Sequence, residues 1–287
     1  MIGLTGVSGK LGSLVAAELH SLLGDGEHEA VRYIARTPQK LEGKTPAGVE
    51  LRKASYENSR ESVEALTGID TLFMVSAGES PTRIDEHKAF IDAAKAAGVK
   101  HIVYTSFYNA AVDSTFTLGR DHGYTEAYIK ESGLTYTFTR DNFYAEFFAD
   151  MVLEYGELRG PAGDGVCSLV SRHDIARTIA TILVHPDQWE NTTLNMTGPQ
   201  ELTLHDVVEI SSRVLGKDIP YIDESLEEAY ASRQQYGVPD WQVDAWVSTY
   251  TAIRDGETAG LSNDIERVTG TKPRSFEEVL TFEASQR

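Results

Sequence analysis

Two hydrophobic rhythms alternate along the first half of the chain. Short runs that are mostly apolar or β-branched fall at 2–5, 30–35, 49–53, 70–75, 101–105 and 135–140, and predict strands. Between them, apolar residues recur at helical spacing. The stretch 10–23 carries Leu11, Leu14, Val15, Leu19, Leu22 and Leu23, which lie on one helical face. Further helices are predicted at 59–66, at 83–97 ending on Gly98, and at 119–131. Strand–helix–strand alternation with short loops implies parallel strands joined by right-handed crossovers. The class is α/β, with a doubly wound parallel sheet.

The second half reads differently. Its apolar runs are shorter and more of it is helical. Ser171 to Asp174, Thr203 to Asp206 and Ser225 to Glu228 have the spacing of helix-opening capping boxes. The stretch 240–255 repeats Trp241, Val243, Trp246, Val247, Tyr250 and Ile253 as a helix would. Trp241 and Trp246 do not share one face, so one is expected to pack inward and the other to line a cleft. The run 224–228 reads as a solvated helix start. The expected organisation is a nucleotide-binding domain over 1–155 and a smaller, mostly helical C-terminal lobe over 156–287. The turn Pro161-Ala162-Gly163-Asp164-Gly165 lies near that boundary, and strands of the lobe can return to the main sheet.

The sharpest motif is Thr5-Gly6-Val7-Ser8-Gly9-Lys10-Leu11-Gly12. Three glycines at this spacing follow the first strand and open the first helix. The first permits the tight turn, the second lets backbone approach a pyrophosphate, and the third lets helix and strand pack closely. A helix N-terminus adds free N–H groups and partial positive charge. Gly6, Ser8, Gly9, Lys10, Leu11 and Gly12 are therefore candidates for binding a dinucleotide, and the fold is Rossmann-type. The second strand ends Tyr33-Ile34-Ala35-Arg36, with no carboxylate for a ribose hydroxyl. Arg36, assisted by Lys40, suits a 2′-phosphate, which favours NADP(H) over NAD(H). Thr37 reads as the N-cap of a short helix beginning at Pro38.

Charge narrows the partners. The 287 residues hold 26 Lys+Arg against 44 Asp+Glu, a formal net charge of −18. So acidic a surface repels phosphate backbones and anionic lipid, so neither nucleic acid nor membrane is an expected partner. The hydrophobic fraction of 41% suffices for a sizeable core. A single cysteine, Cys167, excludes an internal disulfide and a cysteine-based zinc cluster. It lies in an apolar run and reads as a buried thiol. No His-x-x-x-His pair is present, so no metal is expected. With no signal-like or membrane-length apolar segment, a cytoplasmic protein is expected, as a monomer or homodimer.

The chain also resembles the NmrA-like branch of the atypical short-chain dehydrogenase/reductases, in particular bacterial NAD(P)H:quinone oxidoreductases and triphenylmethane dye reductases. The residues that carry the resemblance are Thr5 to Gly12, Arg36 and Ala93 to Ser106. They continue with Asp121-His122, Thr125-Glu126, Tyr136 to Arg140, Ser171 to Ala176 and Trp246 to Glu257. The chain departs from the pattern in three places, one of them an unusually short first strand. The loop after the third strand usually carries an acidic pair and here reads Ala54-Ser55-Tyr56, leaving Ser55 as the cofactor candidate. The segment after Arg140 usually reads Asn-Gly-aromatic-Tyr and here reads Asp141-Asn142-Phe143-Tyr144.

Ligands of open parallel sheets sit beyond the carboxyl ends of the strands. Ser76, Ala77, Thr105, Ser106, Phe107 and Phe143 are thereby further cofactor candidates. Phe107, Phe143 and Tyr144 either form an aromatic slot for nicotinamide and a flat acceptor or pack as ordinary core. None of the 13 tyrosines has lysine four residues on, which argues against the Tyr/Lys acid–base pair of conventional short-chain dehydrogenases. By the resemblance, His122 stands where the isoflavone-reductase branch has lysine. It either serves the chemistry or orients its helix through Glu126. His122, Tyr144 and Tyr124 are the candidate proton donors. Quinone reduction needs little acid–base help, because the cofactor carries the chemistry. The resemblance thus implies an NADPH-dependent reductase of a quinone-like small molecule. The alternative is a non-catalytic redox sensor that binds the dinucleotide and regulates a protein.

Overall fold

In a computed structural model of the chain, residues 1–24 and 28–287 are described. The first half forms β1 (Ile2–Leu4), α1 (Lys10–Leu23), β2 (Val31–Ala35), β3 (Glu50–Lys53), α2 (Arg60–Leu66) and β4 (Thr71–Met74). It continues with α3 (Arg83–Ala97), β5 (His101–Phe107), α4 (Thr117–Ser132) and β6 (Thr135–Asp141). Then follow α5 (Ala145–Tyr155), β7 (Leu158–Gly160), β8 (Val166–Cys167), α6 (Arg172–Val184), β9 (Thr192–Met196) and β10 (Leu202–Thr203). The chain ends with α7 (Leu204–Leu215), β11 (Tyr221–Asp223), α8 (Leu226–Gln234), α9 (Asp240–Arg254), α10 (Asp264–Thr269) and α11 (Phe276–Ser285).

Among the described residues the main sheet has seven strands in the order β3-β2-β1-β4-β5-β6-β9. β1 pairs in parallel with β2 and β4, and the pairs β2–β3 and β4–β5 are also parallel. Strand order reverses beside β1, which makes the carboxyl end of β1 a topological switch point. This is the Rossmann-type doubly wound α/β fold that the alternation predicts. β2, β4 and β5 are buried along their whole length, as continuous apolar runs require of central strands. β3 is an edge strand and ends in exposed Arg52 and Lys53, charges that discourage further pairing. β5 extends past its predicted end through Ser106 and Phe107, both buried.

The chain divides into two compact units. One comprises Met1–Ser106, Gly123–Arg140 and Ile175–Leu194. The other comprises Phe107–His122, Asp141–Asp174 and Asn195–Arg287. The crossings are several rather than one near residue 155, because β5, β6 and β9 each begin in the first unit and end in the second. In the second unit α5, α7 and α11 bury Phe148, Val152, Val207, Phe276 and Leu280 together. Its small strands pair as β7–β11, parallel, and β8–β10, antiparallel.

The Thr203/Asp206 and Ser225/Glu228 pairs form reciprocal capping boxes, and Ser275/Glu278 adds another at α11. At Ser171 tertiary partners intervene. Its hydroxyl donates to Glu146 at 2.9 Å, and the Asp174 carboxylate accepts the Arg274 amide at 2.7 Å. The 224–228 run is only partly solvated. Glu224 is buried and paired with Arg233 at 2.5 Å and Arg159 at 3.4 Å. The α8 turn brings Arg233 back over it, which the local charge run does not reveal. Thr37 does occupy the N-cap of the short helix at Pro38–Leu41, but its side chain makes no capping bond. Trp241 and Trp246 are both half-buried, so neither packs fully inward. Trp246 meets Tyr236 edge-on and lines a cavity of about 530 Å³ with residues of α5, α8 and α9.

Candidate functional site

The glycine loop is built by close backbone approach. Gly6 has φ +65°, and a Cβ there would lie 2.8 Å from Val75 Cγ2. The Gly9 amide donates to the Gly6 carbonyl at 2.8 Å, closing the turn. At Gly12 a Cβ would stand 2.2 Å from the Gly6 oxygen. The third glycine is thus required by the loop's own backbone rather than by the strand. Gly9 is the N-cap of α1 and gives that helix no side-chain cap.

Above this loop lies a cavity of about 410 Å³ in the first unit. Thr5, Gly6, Val7, Ser8, Arg36, Thr37, Lys40, Ser55, Tyr56, Ser76 and Ala77 are among its lining residues. Six of the predicted cofactor residues beyond Gly6 therefore come together: Ser8, Arg36, Lys40, Ser55, Ser76 and Ala77. Gly9, Lys10 and Gly12 lie in the turn beneath, and Leu11 points into the core. Arg36 and Lys40 are both exposed at the cavity, where they can meet an anionic group. These features fit a dinucleotide: a cradle free of Cβ atoms, an uncapped helix start and two cations beside the second strand.

Three residues that sequence reasoning did not single out, Tyr56, His87 and Arg83, hold the loops beside the cavity. The Tyr56 phenol bonds to the Thr5 hydroxyl at 2.8 Å and donates to the Val75 carbonyl. It ties the loops after β1, β3 and β4, and its ring stacks on Phe90 at 4.3 Å. His87, fully buried on α3, accepts the Ala77 amide at Nε2, 2.8 Å away. Its Nδ1 must then carry the proton and donate to Thr125 Oγ1, also at 2.8 Å. Arg83 Nε donates to the Ala77 carbonyl at 2.9 Å. Both ends of the Ala77 peptide are thereby held from α3. The signal for this was available: His87 and Arg83 lie one turn apart on the helix that follows the loop.

Burial, with Arg83 adding a like charge, holds the His87 pKa down to about 3, against 6.5 when free. Between these values the unfolded chain binds a proton that the native chain excludes. Stability is therefore expected to fall as pH drops from about 6.5 toward 3. Urea midpoints measured from pH 8 to 4 check this, with His87→Gln flattening the decline. A slope unchanged by that substitution would assign the acid sensitivity elsewhere.

At the end of β5 the Thr105 Oγ1 is buried and, among the described residues, has no partner. Ser106 Oγ donates to Glu126 Oε1 at 2.6 Å, and Arg140 holds the same carboxylate through Nε and Nη2 at 2.8 and 2.6 Å. Glu126 is therefore a buried anchor between β5, β6 and α4 in the first unit, a role the i, i+4 spacing with His122 did not disclose.

In the second unit Phe107, Phe116 and Phe143 surround one another with ring centroids 4.7–5.2 Å apart. Phe107 and Phe116 are buried there, as core packing requires, whereas Phe143 remains half-buried. His122 is buried with its ring centroid 6.3 Å from that of Phe107. The loop that joins Phe107 to Phe116 is fastened by Glu257. It accepts from Ser114 Oγ at 2.6 Å and the Thr115 amide at 2.7 Å, and its carbonyl accepts from Asn109. Tyr144 is half-buried, with its phenol 3.1 Å from Asp141 Oδ2 and the Arg172 guanidinium 4.9 Å from its ring centroid. Tyr124 is 45% exposed. Cys167 is fully buried, its thiol pKa pushed up to about 12 by burial, and lies 3.2 Å from Asn142 Oδ1. A thiol so placed is not a nucleophile.

The architecture and the glycine cradle define a dinucleotide-binding Rossmann protein, and comparison with known proteins narrows the class. Residues 1–282 match the model of the NmrA-like family, and the chain belongs to that family. It is 30% identical to the NAD(P)H azoreductase of Xenophilus azovorans, over 99% of this chain and 98% of that protein. It superposes with a TM-score of 0.90 on the Escherichia coli NADPH-dependent quinone oxidoreductase solved with NADPH. That match has 28% identity and covers 99% of this chain and 100% of the other. The Citrobacter sp. triphenylmethane reductase solved with NADP(H) gives a TM-score of 0.87 and 30% identity over 99% of this chain and 100% of its own. Among the described residues no helix is long and apolar enough to cross a membrane.

Proposed function

We propose that the chain is an NAD(P)H-dependent reductase of quinones or similarly flat electrophilic acceptors, with NADPH preferred over NADH. The observation that carries this reading is the cradle of Gly6, Gly9 and Gly12 beneath a cavity flanked by Arg36 and Lys40. When bound there, the dinucleotide would supply a hydride. The first-turn amides of α1 hold the pyrophosphate, and Arg36 with Lys40 holds the 2′-phosphate. Tyr56, His87 and Arg83 keep the adjoining loops in place by the hydrogen bonds described above. Full-length similarity to reductases of quinones, azo compounds and triphenylmethane dyes supports an electrophile whose reduction needs no Tyr/Lys pair.

The test is oxidation of NADPH and NADH, followed by absorbance, with benzoquinones, naphthoquinones and an azo dye as acceptors. Turnover is expected, with kcat/KM for NADPH at least tenfold above that for NADH. Arg36→Ala should erase most of this preference by raising KM for NADPH, with little change for NADH. Equal rates with the two cofactors in the native protein would remove Arg36 from its role. Tight NADPH binding with no turnover of any acceptor would reject the reductase and leave a regulatory dinucleotide sensor.

A further inference from the structure

The cavity of about 530 Å³ beside Trp246 lies wholly within the second unit and shares no lining residue with the cofactor cavity. Phe147, Met151 and Tyr155 recur at four-residue spacing, so one face of α5 presents them to it together. Trp246 of α9 and Tyr236, two residues past α8, form the facing wall, with ring centroids 6.0 Å apart. Phe147, Tyr155 and Tyr236 are 42%, 63% and 62% exposed. Large aromatic side chains left in water around one hollow mark a binding surface, because the fold itself gains nothing from their exposure.

The floor is fixed. Tyr250 is buried, and its phenol donates to Met151 Sδ at 3.6 Å. A Cβ at Gly160 would stand 2.3 Å from the Tyr250 ring, so glycine is what lets β7 lie against it. The buried Arg233 guanidinium covers the same ring at 5.1 Å and donates to the Arg159 carbonyl at 3.1 Å. With ring and guanidinium both tethered, the hollow is preformed, which lowers the ordering cost of binding. Its volume suits a small molecule.

The charges around the cavity cancel locally. Arg159 meets Glu157 at 2.8 Å, and Arg233 meets Glu224 at 2.5 Å. A cation would face two guanidinium groups. An anion would face their carboxylate partners and the field of a chain of net charge −18. An uncharged ring system meets neither penalty and gains the aromatic walls and the Met151 thioether as contact surface. Trp246 and Tyr236 add an indole N–H and a phenol O–H to the lining, donors suited to a carbonyl oxygen.

We propose that this cavity is a second ligand site, which takes an uncharged, flat, fused-ring aromatic molecule carrying a carbonyl oxygen. The proposal does not depend on the reductase reading.

The test titrates the native protein with 2-acetylnaphthalene in the absence of nucleotide, by equilibrium dialysis and by tryptophan emission. Saturable one-to-one binding is expected. Tyr236→Ala and Trp246→Ala should each weaken it about tenfold, the scale of a lost aromatic contact. The urea midpoint of each variant should stay at the native value. Tyr236→Ala decides the matter if Trp246→Ala is destabilised, because Tyr236 is the more exposed of the two. The charged analogues 2-naphthoate and 1-methylquinolinium should both bind at least about fivefold more weakly than the neutral probe. Absence of saturable binding overturns the proposal, as does an affinity unchanged in Tyr236→Ala. A charged analogue that binds as tightly as the neutral probe overturns the ligand class. Sedimentation of the same samples covers another occupant: a native dimer that Tyr236→Ala dissociates would place a second copy of the chain in the cavity and overturn the proposal.

Discussion

Gly12→Ala is expected to weaken NADPH binding by about a hundredfold or more, equivalent to about 3 kcal/mol. The added methyl would lie 2.2 Å from the Gly6 oxygen and 2.5 Å from its carbonyl carbon. Both are backbone atoms, so no rotamer relieves the clash. The helix start must withdraw from the loop, and the amides that face the pyrophosphate move with it. Gly9→Ala is the instructive comparison, because its Cβ would approach the same oxygen only to 3.2 Å. A milder loss is expected there. Titration of NADPH followed by nucleotide fluorescence measures both. A Gly12→Ala protein that binds within threefold of native would remove the loop from its role.

Glu224→Ala should cost about 3–5 kcal/mol of stability, the scale for leaving a buried charge without its partner. Arg233 is as buried as a core residue, and its guanidinium lies 2.5 Å from Glu224 and 5.1 Å from the Tyr250 ring centroid. With Glu224 removed, that charge keeps, among the described residues, the carbonyls of Ala229 and Arg159, the Ser232 hydroxyl and Tyr250. Urea unfolding at pH 7 gives the loss directly. Glu224→Leu combined with Arg233→Met should recover much of it, because two apolar side chains leave no charge to desolvate. A single Glu224→Ala variant within about 1 kcal/mol of native would mean that water reaches Arg233.

The close backbone packing of the glycine loop was legible because its requirements are local. A strand, a tight turn and a helix start are consecutive in sequence, and glycine is the residue that lets backbones touch. The place of Arg36 was legible from the fold pattern, because it follows the second strand after the glycine loop's helix. Tyr56 was not legible, and His87 was legible only as a neighbour of Arg83 on its helix, without its partners. Their partners lie 19 residues away at Val75, and 10 and 38 residues away at Ala77 and Thr125. Nothing in a hydrophobic rhythm distinguishes a tyrosine that ties three loops from one that fills space. Glu126 shows the same limit, because its bonds to Arg140 and Ser106 come from the neighbouring strands and not from its own helix.

The sequence alone determined the order of strands and helices in the first half and the glycine loop between the first strand and helix. Each depends on interactions between residues within about two turns of one another, or on a repeated apolar period that only one element type satisfies. Tertiary structure alone decided which polar groups are withdrawn from water and which partners they meet. Glu224 reads in sequence as the edge of a solvated run, yet it is buried against Arg233, and Glu126 is buried between Ser106 and Arg140. Each takes its surroundings from burial and from segments that a local pattern does not bring together.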